Sequence, residues 1–275
     1  MKIFRVFTVL PTVVLLAAGI SAMSGDCAPL SGGLSAVGKT RMTVPEARAS
    51  SAAGQVRRLI CIDPGHPSPF SGGDVVQNDT TEVHINWAVA QKLEKILKSK
   101  GADVMLTKSS ESQEVDNRIR ALMINKAAAA FLQNNKNGSA VTVHLHCDTG
   151  SGGGFAIYYP DRKGTYTGVS GHEPDIGFTG PEEEIQASSK LLADAVRTAM
   201  AKQLKGSVND HGVKGDSKTL VGSRQGALSY SIFSKIPTVT IEMVVLSDQS
   251  DAKFIKTETG QQKMAEAIAA GMLGY

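Results

Sequence analysis

A short apolar run, Leu59-Ile60-Cys61-Ile62, stops at Asp63-Pro64-Gly65 and then presents an imidazole, His66. A second run, Val141-Thr142-Val143-His144-Leu145-His146, leaves into Cys147-Asp148-Thr149-Gly150. Glu82 follows the helix-cap candidates Asp79, Thr80 and Thr81, and Glu242 interrupts the apolar stretch around Thr238–Val245. Two imidazoles and one carboxylate make the ligand set of a hydrolytic zinc site, with the fourth position left for water. A further carboxylate, not a ligand, would accept that water's proton. An unpaired charge inside an apolar strand costs several kcal/mol, so Glu242 needs a reason to be there.

Each of these residues also has a purely structural reading. Glu82 suits the positive end of a helix. Glu242 could pair with a cation such as Arg118, and His146 could be a hydrogen-bonded core histidine. His144 and His146, at i and i+2 of a strand, point to the same face and could chelate a metal without His66. His84 lies close to Glu82, while His172 and His211 fall in loop sequence. Spacing leaves the ligand set open; it is the joint pattern that favours a metal.

The elements that must bring these residues together are legible in the periodicity. Strands are expected at 59–63, 102–107, 140–146, 155–159 and 238–245, and helices at 81–100, 114–133, 182–204 and 261–272. Ile85, Val89, Leu93 and Leu97 share one face of the first helix, and Val115, Ile119 and Leu122 fall near helical spacing in the second. This alternation predicts an α/β fold: one domain with a mostly parallel, twisted sheet between helical layers. In such sheets ligands gather at the carboxyl ends of strands, where His66 and His146 stand. The Gly-rich segment 161–181 reads as a long irregular loop.

Composition narrows the function. The 275 residues carry 29 Lys+Arg against 26 Asp+Glu, and 5 % are aromatic. With no basic stripe and few aromatics, nucleic acid is not expected as a partner. Lys2 and Arg5, the apolar stretch Val6–Ile20 and the small residues after it form the pattern of a signal peptide over 1–24. The rival reading, a retained membrane anchor, is disfavoured because the stretch is short for a span and contains Pro11. Residues 25–55 are rich in Gly, Ser, Ala and Pro and read as a flexible linker. The catalytic domain is expected over 56–275. Export places the chain in the periplasm or outside the cell, with no stable membrane span after cleavage. Cys61 and Cys147 read as small buried side chains, with a disulfide between them open if their strands are neighbours.

Taken in order, these segments resemble the zinc-dependent N-acetylmuramoyl-L-alanine amidases, bacterial cell-wall hydrolases. The likeness lies in Asp63-Pro64-Gly65-His66, in Thr80-Thr81-Glu82 with Asn86, and in Arg118 and Asn125 on the second helix. It continues through Val143-His144-Leu145-His146, Gly154–Tyr159 and Pro237–Glu242. The resemblance implies zinc held by His66, Glu82 and His146, with Glu242 catalytic. It also implies peptidoglycan (muropeptides) as substrate, cut between N-acetylmuramic acid and the L-alanine of the stem peptide. Asp63 and Asp148 are candidates to orient the histidines, though Asp63 before Pro64 reads more simply as a turn residue. Arg118 could meet a substrate carboxylate. Pro67-Ser68-Pro69-Phe70, His144 and Asp148 depart from the usual pattern. Two other functions use the same residues: a different zinc carboxypeptidase or amidohydrolase, and a non-catalytic wall-binding module. Nothing in the sequence specifies a protein activator.

Overall fold

The computed structural model describes residues 57–69, 73–168 and 177–275. The expected signal peptide and linker, the first residue of the expected domain and His172 lie outside the described residues.

The chain runs β1 (Arg58–Pro64), α1 (Glu82–Ser99), β2 (Asp103–Leu106), α2 (Asn117–Asn134), β3 (Ser139–Asp148) and β4 (Phe155–Tyr159). Two short strands follow, β5 (Gly164–Thr165) and β6 (Thr179–Gly180), then α3 (Glu183–Gln203) and β7 (Asp210–Gly215). The last elements are α4 (Leu220–Gln225), α5 (Ser229–Phe233), β8 (Thr238–Val245), α6 (Gln249–Ile255) and α7 (Glu258–Gly274). Six strands form one sheet in the order β2-β1-β3-β8-β4-β7. β2, β1, β3 and β8 are mutually parallel, whereas β4 runs antiparallel to β8 with β7 parallel beside it.

Alternation along the strands divides the core. Ile60, Ile62, Val141, Val143 and Leu145 face α1, α3 and α7, meeting Leu93, Val196 and Ile268. Leu59, Cys61 and Ala140 face the other way, onto Ile124 and Ala128 of α2. Cys61 and Cys147 therefore belong to clusters on opposite faces of the sheet, and both are free thiols. Burial pushes the Cys61 thiol up to about 12, and the nearby Asp63 charge adds to the rise.

The first helix forms as its pattern dictates. The Thr81 hydroxyl accepts the His84 N–H at 3.3 Å as N-cap, and Gly101 at φ +85 follows the end. The second helix differs from expectation. It starts later, at Asn117, where Asp116 caps the Arg118 and Ile119 amides. Its buried residues are Arg120, Ala121, Ile124 and Ala128, whereas Ile119 and Leu122 are exposed. Periodicity that counts arginine as polar selects the wrong face; here a buried ion pair turns the helix. The described parts of the 161–181 segment carry more order than expected. β5 and β6 pair antiparallel, and Tyr166 is buried against Phe233 with ring centroids 5.0 Å apart. β7, α4, α5 and α6 are short and had no periodic signature.

Helices α3 and α7 meet at Gly271, where an added Cβ would lie 2.5 Å from the Val196 Cα. Gly271→Ala should therefore destabilise the fold by about 1–3 kcal/mol through overpacking, outweighing the gain of about 1 kcal/mol in helix propensity. Urea denaturation measures this, and a more stable variant would contradict the close contact.

Candidate metal centre

The parallel register carries the candidate residues to one end of the sheet. His66 follows the end of β1, His146 lies near the end of β3, and Glu82 opens α1, which runs back over the sheet. The ligand-type atoms of His66, Glu82 and His146 all lie within 4.8 Å of one another. Glu82 sits between the rings, with Oε1 2.9 Å from His146 Nδ1 and Oε2 3.4 Å from His66 Nε2. The two imidazoles meet edge to face, centroids 5.0 Å apart. Side-chain exposures of 17, 15 and 20 % leave the group sheltered but reachable from solvent. Glu82 Oε1 also accepts the Cys147 N–H at 3.1 Å.

Two glycines permit this packing. A Cβ on Gly65 would stand 2.5 Å from His146 Nε2, and one on Gly73, at φ +62, would stand 2.5 Å from the His66 ring. Burial acts to lower the His146 pKa, but the Glu82 hydrogen bond and charge outweigh it and hold the imidazole up at about 9. Burial acts to raise Glu82, and the same partners overcome it and lower the carboxyl. Three donors so arranged, with the carboxylate ionised, fit a divalent cation.

Glu242 lies beside them. It is directly opposite His146 in the β3–β8 register and opposite Ala156 on β4. Its Oε2 is buried and has no hydrogen-bond partner among the described residues. Burial pushes Glu242 up to about 8; His146 opposes the rise, while the Glu82 and Asp148 charges add to it. No salt bridge joins Glu242 to Arg118 among the described residues, so the structural alternative for this acid is not realised.

His144 is engaged elsewhere. Its Nδ1 is 2.8 Å from Asp63 Oδ2, its Nε2 is 3.0 Å from Thr238 Oγ1, and its ring stacks on Tyr230 with centroids 3.7 Å apart. With both nitrogens used, it does not join His146 as a chelating pair. His84 faces Glu111 at 3.3 Å on the surface, and His211 lies 3.1 Å from the Gly153 carbonyl.

Asp63 is not a simple turn residue. It is buried, accepts from Arg120 Nη1 at 2.6 Å and from Thr107, and faces His144. Burial alone would raise its pKa, but Arg120 and His144 hold the carboxyl well below the usual carboxylate range. It orients His144 and not either histidine of the triad. Arg120, and not Arg118, is the buried cation of α2. Its spacing with Ile124 and Ala128, at i, i+4 and i+8, is the sequence signal that would have placed it inside.

The family model for N-acetylmuramoyl-L-alanine amidase matches residues 60–273. The chain belongs to that family. Among curated relatives, the N-acetylmuramoyl-L-alanine amidase AmiA of Escherichia coli is 24 % identical over 95 % of this chain and 90 % of its own length. The amidase LytC of Bacillus subtilis is 28 % identical over 80 % of this chain, which spans 36 % of that longer protein. The structure of the amidase AmiC2 of Nostoc punctiforme shares the fold, with TM-score 0.56 and 19 % identity, over 80 % of this chain and 97 % of its own. The α/β architecture with its mostly parallel sheet is thus the family's catalytic-domain fold.

The pKa of Glu242 has a stability consequence in this amidase-family chain. Between the unfolded carboxyl value and about 8 the folded state holds a proton that the unfolded state has lost, so folding weakens as pH rises through that window. Glu242→Gln removes the penalty. In the presence of chelator the variant should match the parent near pH 4 and exceed it by about 1–3 kcal/mol above pH 8. Urea melts at the two pH values test this; a parent that is the more stable at high pH would refute it.

Proposed function

We propose that the protein is an exported zinc amidase of the cell wall, with His66, Glu82 and His146 as metal ligands and Glu242 as the proton carrier. Its reaction is hydrolysis of the amide between the lactyl group of N-acetylmuramic acid and the L-alanine of the stem peptide. The observation that carries the reading is the orphaned Oε2 of Glu242, beside a triad whose three donors converge. A buried carboxylate oxygen without a partner is costly in a fold that has paired the Asp63 carboxylate nearby. It is useful where a water must give up a proton.

Zinc at the triad would supply Lewis-acid polarisation of the scissile carbonyl and acidification of a water molecule. The chain's own contribution is positioning and proton transfer. His66 and His146, fixed edge to face, and Glu82 between them leave one side of the group facing solvent. Glu242, on the strand beside His146, takes the proton of the attacking water and delivers it to the nitrogen of the departing L-alanine. A pKa of about 8 in the metal-free protein suits a group that must gain and lose a proton near neutrality, and a nearby cation would bring it lower. Tyr158, on the neighbouring strand, is raised by burial and then by the Glu242 and Asp148 charges, so it stays a neutral phenol.

Export is supported by the sequence pattern of residues 1–24 and by the substrate's position outside the cytoplasmic membrane. No helix of the described residues is long and apolar enough to cross a membrane. The departures after His66 and the segment 161–181 bear on which stem peptides are accepted.

Digestion of purified sacculi with and without chelator, followed by mass analysis, tests the reaction. Intact stem peptides beginning with L-alanine are expected, and only in the absence of chelator. Release of single carboxy-terminal amino acids would indicate a carboxypeptidase, and wall binding without soluble peptide a binding module. Glu242→Ala should fold and keep zinc while losing about 10²–10⁴-fold in turnover; unchanged muropeptide release would remove Glu242 from the mechanism. His66→Ala should fall from about one zinc per chain to almost none, and full occupancy in a metal assay would refute the ligand assignment.

A further inference from the structure

The turn that carries His66 reads Pro64-Gly65-His66-Pro67. Its two prolines have no N–H, so it has few donors with which to close on itself. His66 also adopts φ +58, a left-handed backbone that residues with a Cβ take up infrequently. Something outside the turn must hold it. All four of its carbonyl oxygens are captured, each by another part of the chain. Pro64 O accepts from Arg120 Nη1 at 2.8 Å, and Gly65 O from Asn86 Nδ2 at 3.1 Å. His66 O accepts from Lys108 Nζ. Pro67 O accepts from Arg120 Nη2 at 2.9 Å and from the Val115 N–H at 3.2 Å. The Gly65 N–H donates to Leu145 O at 2.9 Å, tying the turn to the strand that bears His146.

The three side chains are themselves fixed. Asn86, Lys108 and Arg120 are all buried. Arg120 is anchored by Asp63 and by the Val115 carbonyl, which accepts its Nε at 2.9 Å. Lys108 spans from His66 O to Glu111 O at 2.8 Å. Asn86 reaches all three ligand-bearing segments. Its Nδ2 lies 3.1 Å from Gly65 O and 3.4 Å from Glu82 Oε1, and its Oδ1 lies 3.6 Å from Cys147 Sγ.

We infer that Asn86, Lys108 and Arg120 are positioning residues that set the direction of the His66 ring by gripping the carbonyls of its own turn. The inference rests on the metal-binding reading of His66. It assigns the three residues a role in metal affinity without contact to the reacting atoms. A hydrogen bond to a backbone carbonyl beside a ligand does the work that a hydrogen bond to the ligand's second nitrogen does elsewhere.

Lys108→Met keeps the length and apolar stem of the side chain and removes the donor. In the full-length protein two quantities are read: the zinc dissociation constant by competition with a chelator, and the His66 imidazole ¹⁵N–¹H signals in the metal-free state. The expected result is zinc binding weakened by about 10–100-fold, with the His66 signals shifted or broadened and those of His211 unchanged. Asn86→Leu is the second variant should Lys108→Met not fold, with the same expectation. Met200→Ala, a truncation in the core of α3, controls for general loosening and should leave both quantities at parental values. Parental zinc affinity and an unmoved His66 signal in the Lys108 or Asn86 variant would overturn the inference. So would an equal loss of affinity in Met200→Ala. A parent that binds no zinc, while Lys108→Met still moves the His66 signals, would discard the metal reading and retain the role of the grip.

Discussion

A carboxylate without access to water organises this end of the molecule. Asp63 ends the apolar course of β1, and its charge is tolerable inside because Arg120, Thr107 and His144 surround it. Each partner comes from a different element: α2, the segment after β2, and β3. Breaking a buried pair of this kind strands the remaining charge and costs about 3–5 kcal/mol. One ion pair thereby sets which face of α2 turns inward, occupies the histidine that would compete with His66, and anchors the arginine that holds the His66 turn.

The two acids opposite the β3 histidines are treated in contrary ways. Asp63 stands across from His144 and Glu242 across from His146. Asp63 is satisfied on every side and held ionised, whereas Glu242 keeps one oxygen unpartnered and is raised by burial to about 8. The same contrast separates the two histidines: burial lowers His144, which supports the fold, while Glu82 keeps His146 high. Environment, and not residue type, sends the two acids and the two histidines in opposite directions. A fold that keeps such an acid gives up stability at that position.

Much of this was visible in the order of residues. Long helices such as α1 and α3 announce themselves because one apolar face repeats over several turns, and strands β3, β4 and β8 because they are apolar and bounded by turns. The triad His66, Glu82 and His146 was legible as a set only through its order along the chain and its likeness to a family. Spacing could not choose between His144 and His146, because both point to one face of the same strand. Arg120 was missed because a periodicity built on apolar residues cannot register a buried cation. β7, α4, α5 and α6 were missed because elements of five to seven residues complete too few periods to be seen.

The sequence by itself determined the long helices, the apolar strands, the cap of α1 and the presence of strand-end histidines, since each depends on near neighbours along the chain. The tertiary structure decided which β3 histidine joins His66 and Glu82, which arginine is buried and that Glu242 keeps a buried oxygen unpartnered. Those outcomes depend on strand register and on side chains brought together from residues 63, 120, 144 and 238, whose separation along the chain leaves no trace in any local pattern.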